Sequence, residues 1–288
     1  MYDDILLFIP HELLSSILQF TDVSTIFSLS RTSKKYIRRT TDWIYLSSMK
    51  HIYLNTIIHG YTELFKWLMI DHEVRLLTAC TDTNAITSPS SNIYTETAVQ
   101  NGHLDILKYL HENGCGWNKR YICYDAVINN HIDILKYLHE NGCLWDHFTC
   151  AHAASHNQIK ILQYLHENGC PWDDMSCTWA AMNGHLEILK YLHENKCPWD
   201  NLTTGIACEN GHLEVLKYLH ENGCPWDEDT CYYAATNGHL DILKYLHENG
   251  CPWDESACDN DNEISIQEYL HDNGCICDKN VCTYCRKN

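Results

Sequence analysis

His239–Asp254 reads HLDILKYLHENGCPWD, and nearly the same string begins again at His103, His131, His185 and His212. Each copy alone offers two histidines, a cysteine and a tryptophan, the residue types of metal and catalytic sites. As a series, the copies set a period. The cysteine of the ENGC segment falls at Cys115, Cys143, Cys170, Cys197, Cys224, Cys251 and Cys275, in steps of 28, 27, 27, 27, 27 and 24 residues. A tryptophan keeps step at Trp117, Trp145, Trp172, Trp199, Trp226 and Trp253. A second cysteine does so at Cys123, Cys150, Cys177, Cys231 and Cys258. Three columns in step identify a tandem repeat.

Each unit reads as two helices. In TCYYAATNGH, Thr230–His239, Thr230 is read as the N-cap. Ala234 and Ala235 form a small, close-packing face, and Asn237-Gly238 breaks the helix. The second helix runs from Leu240 to Glu248, with Leu240, Ile242, Leu243 and Leu246 in one stripe and Asp241, Lys244 and Glu248 elsewhere. Asn249-Gly250 stops it, with Gly at the left-handed C′ position. Lys196 takes that glycine's place once, at an expected cost of about 1 kcal/mol. A pair this short cannot bury its apolar face alone, but stacked on its neighbours it can. The expected fold is therefore an all-α, elongated solenoid of short helix pairs.

AATNGHLDILKYLHENG, Ala234–Gly250, resembles the second half of an ankyrin repeat. The likeness extends over 93–275 and departs from the family in two respects. The unit is 27 residues long where the family's is about 33, which shortens the loop that forms the protruding finger. The TPLH signature is missing, with Cys231 and Tyr232 where the family has leucine and histidine. Shortened LKYLHENGCPWD units of this kind resemble those of giant-virus (mimivirus-type) ankyrin repeat proteins. HGYTELFKWLM at 59–69 fits the second-helix pattern and marks a degenerate first repeat over 51–80. DTNAITSPSSN at 82–92 reads as a loop insertion. The last unit, within 255–288, is more polar, carrying Gln267 and Glu268 where others have Leu and Lys, as a solenoid cap requires.

Residues 1–50 do not fit the period. Pro10 suits a helix N1 position, and Leu13, Leu14, Ile17 and Leu18 form an apolar stripe. The segment resembles an F-box, with Ile9-Pro10, Glu12-Leu13, Ile17-Leu18, Phe20, Ile26, Leu29, Ser33-Lys34 and Tyr36 in matching places and Tyr36 where tryptophan is usual. The resemblance implies that Pro10, Leu13, Leu14, Ile17 and Leu18 dock onto the Skp1 adaptor of a cullin ubiquitin ligase. The other reading makes the same helices a cap on the solenoid.

The formal net charge is −18, which disfavours nucleic acid and anionic membranes. No stretch reaches the roughly 18 apolar residues of a membrane span. The 17 cysteines would suggest disulfides in a secreted protein, yet the MYDD start lacks a signal peptide's basic region. A cytoplasmic protein with free thiols is expected, in the host cytoplasm if the chain is viral.

The periodic residues are poor chemistry. A zinc site needs four converging ligands. Equivalent cysteines of stacked repeats stand about 8–10 Å apart, beyond disulfide reach, so the cysteine columns are read as core. At the C-terminus, Cys275, Cys277, Cys282 and Cys285 contain one zinc-knuckle spacing. However, Cys275 and Cys282 are ordinary column members, which leaves only a weak metal candidate. A catalytic histidine needs a unique partner, whereas these recur with identical neighbours in two columns, one between the helices and one near the end of the second. No nucleotide, hydrolase or zinc-protease motif occurs. No enzyme activity and no cofactor are expected.

Recognition should then lie in the columns that vary. Those following the second cysteine include Tyr124, Asp125, His152, Trp179, Ile206, Tyr232 and Tyr233. Met182 follows an alanine pair, and Phe148 lies ahead of a first helix. Recurring once per unit, they are expected along the inner, concave face, with large side chains that suit interfaces. The expected function is protein–protein interaction. The chain would recruit a captured protein to a Skp1–cullin ligase or, as the alternative, act as a passive scaffold or decoy with no ligase link.

Overall fold

The structure, a computed structural model, describes residues 53–71, 93–119, 121–258 and 263–275. The F-box-like segment, the 82–92 insertion, the polar stretch 259–262 and Cys277, Cys282 and Cys285 lie outside these residues. Regular structure among the described residues is helical throughout, and two compact units divide at Cys143/Leu144.

The first unit holds α1 (Thr62–Asp71), α2 (Ile93–Gln100), α3 (Leu104–Glu112), α4 (Ile122–Ile128) and α5 (Ile132–Glu140). The second unit holds α6 (His147–Ser155), α7 (Ile159–Glu167), α8 (Asp174–Met182), α9 (Leu186–Glu194), α10 (Asn201–Glu209), α11 (Leu213–Glu221), α12 (Glu228–Thr236), α13 (Leu240–Glu248) and α14 (Ile264–Asp272). From α2 to α13, first and second helices of the repeat alternate. In the second unit the first helices pack side by side, α6 on α8, α8 on α10 and α10 on α12, and each also packs on its own second helix.

The two helix types make different cores. Each second helix buries an aliphatic triad, such as Ile242, Leu243 and Leu246 in α13. Each such side chain contributes about 1.5–3 kcal/mol on burial. The first helices of the second unit instead bury small residues, such as Cys177, Ala180 and Ala181 in α8. Small side chains let the first-helix backbones approach closely, and this row carries the closer packing.

The first-helix cap differs from the sequence expectation. Asp227 is the N-cap of α12, and Thr230 is the N3 member of a reciprocal capping box, donating to Asp227 Oδ1 at 3.2 Å while its oxygen accepts from the Asp227 backbone N–H at 3.2 Å. Asp146 with Thr149 and Asp200 with Thr203 repeat the arrangement. Asp173 caps α8, where Ser176 stands at N3 with its hydroxyl buried and unbonded. The second-helix stop is as expected. Gly250 has φ +78°, and Lys196 enters the same left-handed region at φ +64°.

The cysteine columns are buried, but they are not separate. The distance argument holds within a column and fails between columns, because each repeat brings one member of each together across 20 residues. The free thiols of Cys150, Cys177 and Cys231 lie against those of Cys170, Cys197 and Cys251, whereas Cys123 and Cys143, with their Cα atoms 6.9 Å apart, form a disulfide where free thiols were expected. Each loop cysteine also donates to the carbonyl of its own repeat's N-cap residue: Cys170 to Asp146 at 3.3 Å, Cys197 to Asp173 at 3.2 Å and Cys251 to Asp227 at 3.4 Å. Where position 204 carries threonine, its hydroxyl lies 3.2 Å from Cys224 Sγ and takes the missing thiol's place. The thiol pairs therefore tie the end of the second helix to the start of the first. The hydrogen bond to the partner, then burial, hold the Cys150, Cys177 and Cys231 thiols well above the ordinary thiol range. Burial pushes Cys224 up to about 12. Such thiols stay protonated and are poor nucleophiles.

Candidate partner-binding face

The histidine columns are occupied by structure. Between the helices, the Nε2–H of each histidine donates to the carbonyl that ends the preceding repeat's first helix. His185 reaches Ser155 O at 3.0 Å, His212 reaches Met182 O at 3.0 Å and His239 reaches Glu209 O at 3.1 Å. A carbonyl only accepts, so the proton resides on Nε2. These bonds satisfy carbonyls that a helix end leaves open, and they stitch repeat to repeat. The ring lies over the preceding repeat's glycine so closely that a Cβ on Gly184 would fall 2.7 Å from His212.

The second histidine column stacks on the tryptophan of its own repeat and meets the tyrosine of the next. His166 lies 3.9 Å from Trp172, ring centre to ring centre, with planes 9° apart. His220 lies 4.0 Å from Trp226, and its Nδ1 is 2.9 Å from the Tyr245 hydroxyl. In the first unit, His111 reaches the Tyr137 hydroxyl at 2.8 Å. The His, Trp and Tyr columns thus form one repeating inter-repeat contact. Their identical spacing was legible in the sequence, but their mutual partnership was not.

The variable positions lie elsewhere, on the first helices. In the second unit the column His152, Trp179, Ile206 and Tyr233 runs from α6 through α8 and α10 to α12, and all four are half-buried. The His152 and Trp179 rings meet edge to face at 5.1 Å. Burial, then the neighbouring His156, lowers the His152 pKa. Tyr233 packs on Gly205, where a Cβ would stand 3.1 Å from its ring, and meets Tyr232 at 5.7 Å. Met182, at the end of α8, is 39% exposed. Phe148 sits on the first turn of α6 against His147, with ring centres 4.2 Å apart. The column therefore brings His152 together with Trp179 and Tyr233 together with Tyr232, while Phe148 stands off it.

In the first unit, Tyr124 and Asp125 lie on α4, both half-buried. Tyr124 meets Tyr121 at 6.0 Å. Burial raises the Asp125 pKa, opposed by a hydrogen bond from Gln100. Burial, then the Asp125 charge, raises that of Glu96 on α2.

Among the described residues no group of three or more His, Cys, Asp or Glu side chains could hold a metal ion. Cys275, the described member of the C-terminal candidate, is buried and donates to Asp254 O at 3.5 Å. No helix of the described residues is long and apolar enough to cross a membrane.

The family model for ankyrin repeats (3 copies) matches residues 95–176 and again 177–257, more than half of the chain. Among solved structures, the crystal structure of the human ASB11 ankyrin repeat domain is similar at 20% identity and a TM-score of 0.48, covering 56% of this chain and 85% of that one. No curated protein matches.

Proposed function

Because this chain belongs to the ankyrin repeat family, whose repeats are protein-interaction modules, we propose that it is a non-catalytic binding protein whose recognition face is the first-helix row of the second unit. The observation that carries this reading is the contrast between columns. The constant His, Tyr and Cys positions spend their polar groups within the scaffold, on one another and on backbone carbonyls, while the half-exposed column His152, Trp179, Ile206 and Tyr233 changes chemistry at every repeat. The finer role is recruitment of a captured protein to a Skp1–cullin-type ligase in the cytoplasm, supported by the F-box resemblance of Pro10, Leu13, Leu14, Ile17 and Leu18. The repeats' likeness to giant-virus proteins would make that cytoplasm a host's.

The face is tested by selecting binders from a random peptide-display library on the full chain. They should lose about tenfold or more in affinity, roughly 1.4 kcal/mol, on a Trp179→Ala/Tyr233→Ala variant of unchanged ellipticity. Undiminished affinity would remove the face. A pull-down with purified Skp1 tests the adaptor role. Capture that Leu13→Ala/Ile17→Ala abolishes supports it, and no capture leaves a scaffold or decoy with no ligase link.

A further inference from the structure

Charge on this chain is divided between the two helix rows. Each second helix from α3 to α13 carries one lysine: Lys108, Lys136, Lys160, Lys190, Lys217 and Lys244. The first helices α2, α4, α6, α8, α10 and α12 carry no lysine and no arginine. The lysines of α9 and α11 are engaged locally, Lys190 with Glu187 and Lys217 with Glu214, both at 2.8 Å.

In the second unit the first-helix row is acidic as well as free of lysine and arginine. Each helix begins at an N-cap aspartate, and α8, α10 and α12 add Asp174, Glu209, Glu228 and Asp229. Glu228 and Asp229 are exposed. The His147 ring lies 3.8 Å from the Asp173 carboxylate at the start of α8. Lys119 stands in the loop before α4 and Lys196 in the loop before α10, and neither forms an ion pair with Asp174, Glu209, Glu228 or Asp229.

Half-buried rings therefore share α8, α10 and α12 with Asp174, Glu209, Glu228 and Asp229, and none of these four acids is in an ion pair among the described residues. Rings attract a cation through the quadrupole of the π face, and carboxylates attract it by charge. Resting on the reading of this row as the recognition face, we propose that its occupant is a lysine- or arginine-bearing segment of a partner protein, with apolar side chains between the basic ones. The basic groups pair with Asp174, Glu209, Glu228 and Asp229 and lie over Trp179, Tyr232 and Tyr233. The apolar ones meet Ile206 and Met182. An acidic segment would meet uncompensated repulsion here, which supplies specificity.

The test is fluorescence anisotropy of the full chain with three labelled peptides of equal length and equal apolar content, bearing Lys/Arg, Ser or Asp/Glu at the polar positions. The basic peptide should bind most tightly, weaken about tenfold as salt rises toward 1 M, where the screening length falls to about 3 Å, and lose a similar factor with Glu209→Gln/Glu228→Gln/Asp229→Asn. The control Glu187→Gln/Glu214→Gln, on the second helices, should change nothing. No binding of the basic peptide, equal binding of all three, or full affinity in the first-helix charge variant overturns the proposal. Equal binding that Trp179→Ala/Tyr233→Ala still abolishes removes only the charge preference and leaves the face. Basic-peptide binding that survives that variant but falls with the second-helix control removes the face itself.

Discussion

Raising the pH should unfold this protein well before its lysines titrate. Cys150, Cys177, Cys208 and Cys231 are buried with pKa values held above the ordinary thiol range, the first, second and fourth by hydrogen bonds to their partners and then burial, Cys208 by burial. In the unfolded chain a thiol ionises near 8.5. The folded pKa is the higher one, so stability is fully present below about pH 8.5 and is lost as pH rises towards the folded value. At about pH 9.5 each such thiol costs about 1.4 kcal/mol, since the unfolded state gains ionisation that the folded state cannot. Four together cost about 6 kcal/mol, near the lower end of a whole domain's typical stability. The assay is urea unfolding followed by far-UV circular dichroism on reduced protein, from neutral pH to about pH 9.5, with thiolate absorbance recorded in parallel. The midpoint should fall steeply while the folded protein shows few thiolates. An unchanged midpoint, or folded-state thiols titrating near 8.5, would refute the buried, paired thiols.

Substitutions at four positions probe the frame. Lys196→Gly should stabilise by about 1 kcal/mol in thermal melts, because φ +64° strains a side chain that glycine lacks. Gly184→Ala should destabilise by more than the roughly 1 kcal/mol of its left-handed φ alone, since the new Cβ meets the His212 ring, and His212→Ala should cost about 1–2 kcal/mol through the lost bond to Met182 O. Cys177→Thr, imitating Thr204, should cost less than Cys177→Val, which cannot bond Cys197; equal melting temperatures would contradict the thiol pair.

What the sequence made legible follows from what a single column can carry. Period, helix limits and the left-handed stop at Lys196 are local properties, repeated until chance is excluded. The Cys150–Cys170 pair was missed because it lies between two columns, 20 residues apart, and only the turn of the chain between α6 and α7 brings them together. The Asp227 cap was missed for a related reason. Thr230 is a good capping residue, and only geometry tells N-cap from N3 when both halves of a capping box are present. The histidine bonds to Ser155, Met182 and Glu209 carbonyls span 30 residues and leave no trace in residue type at the acceptor. The variable column was legible because internal repeats supply their own comparison, and its charge division became visible once α6, α8, α10 and α12 were placed in one row.

The most direct test of the recognition face is hydrogen–deuterium exchange of the full chain with and without a display-selected binder. Added protection should fall on α6, α8, α10 and α12, around Trp179 and Tyr233, with α7, α9, α11 and α13 unchanged. Protection centred on the second helices and their His–Trp–Tyr contacts would contradict it.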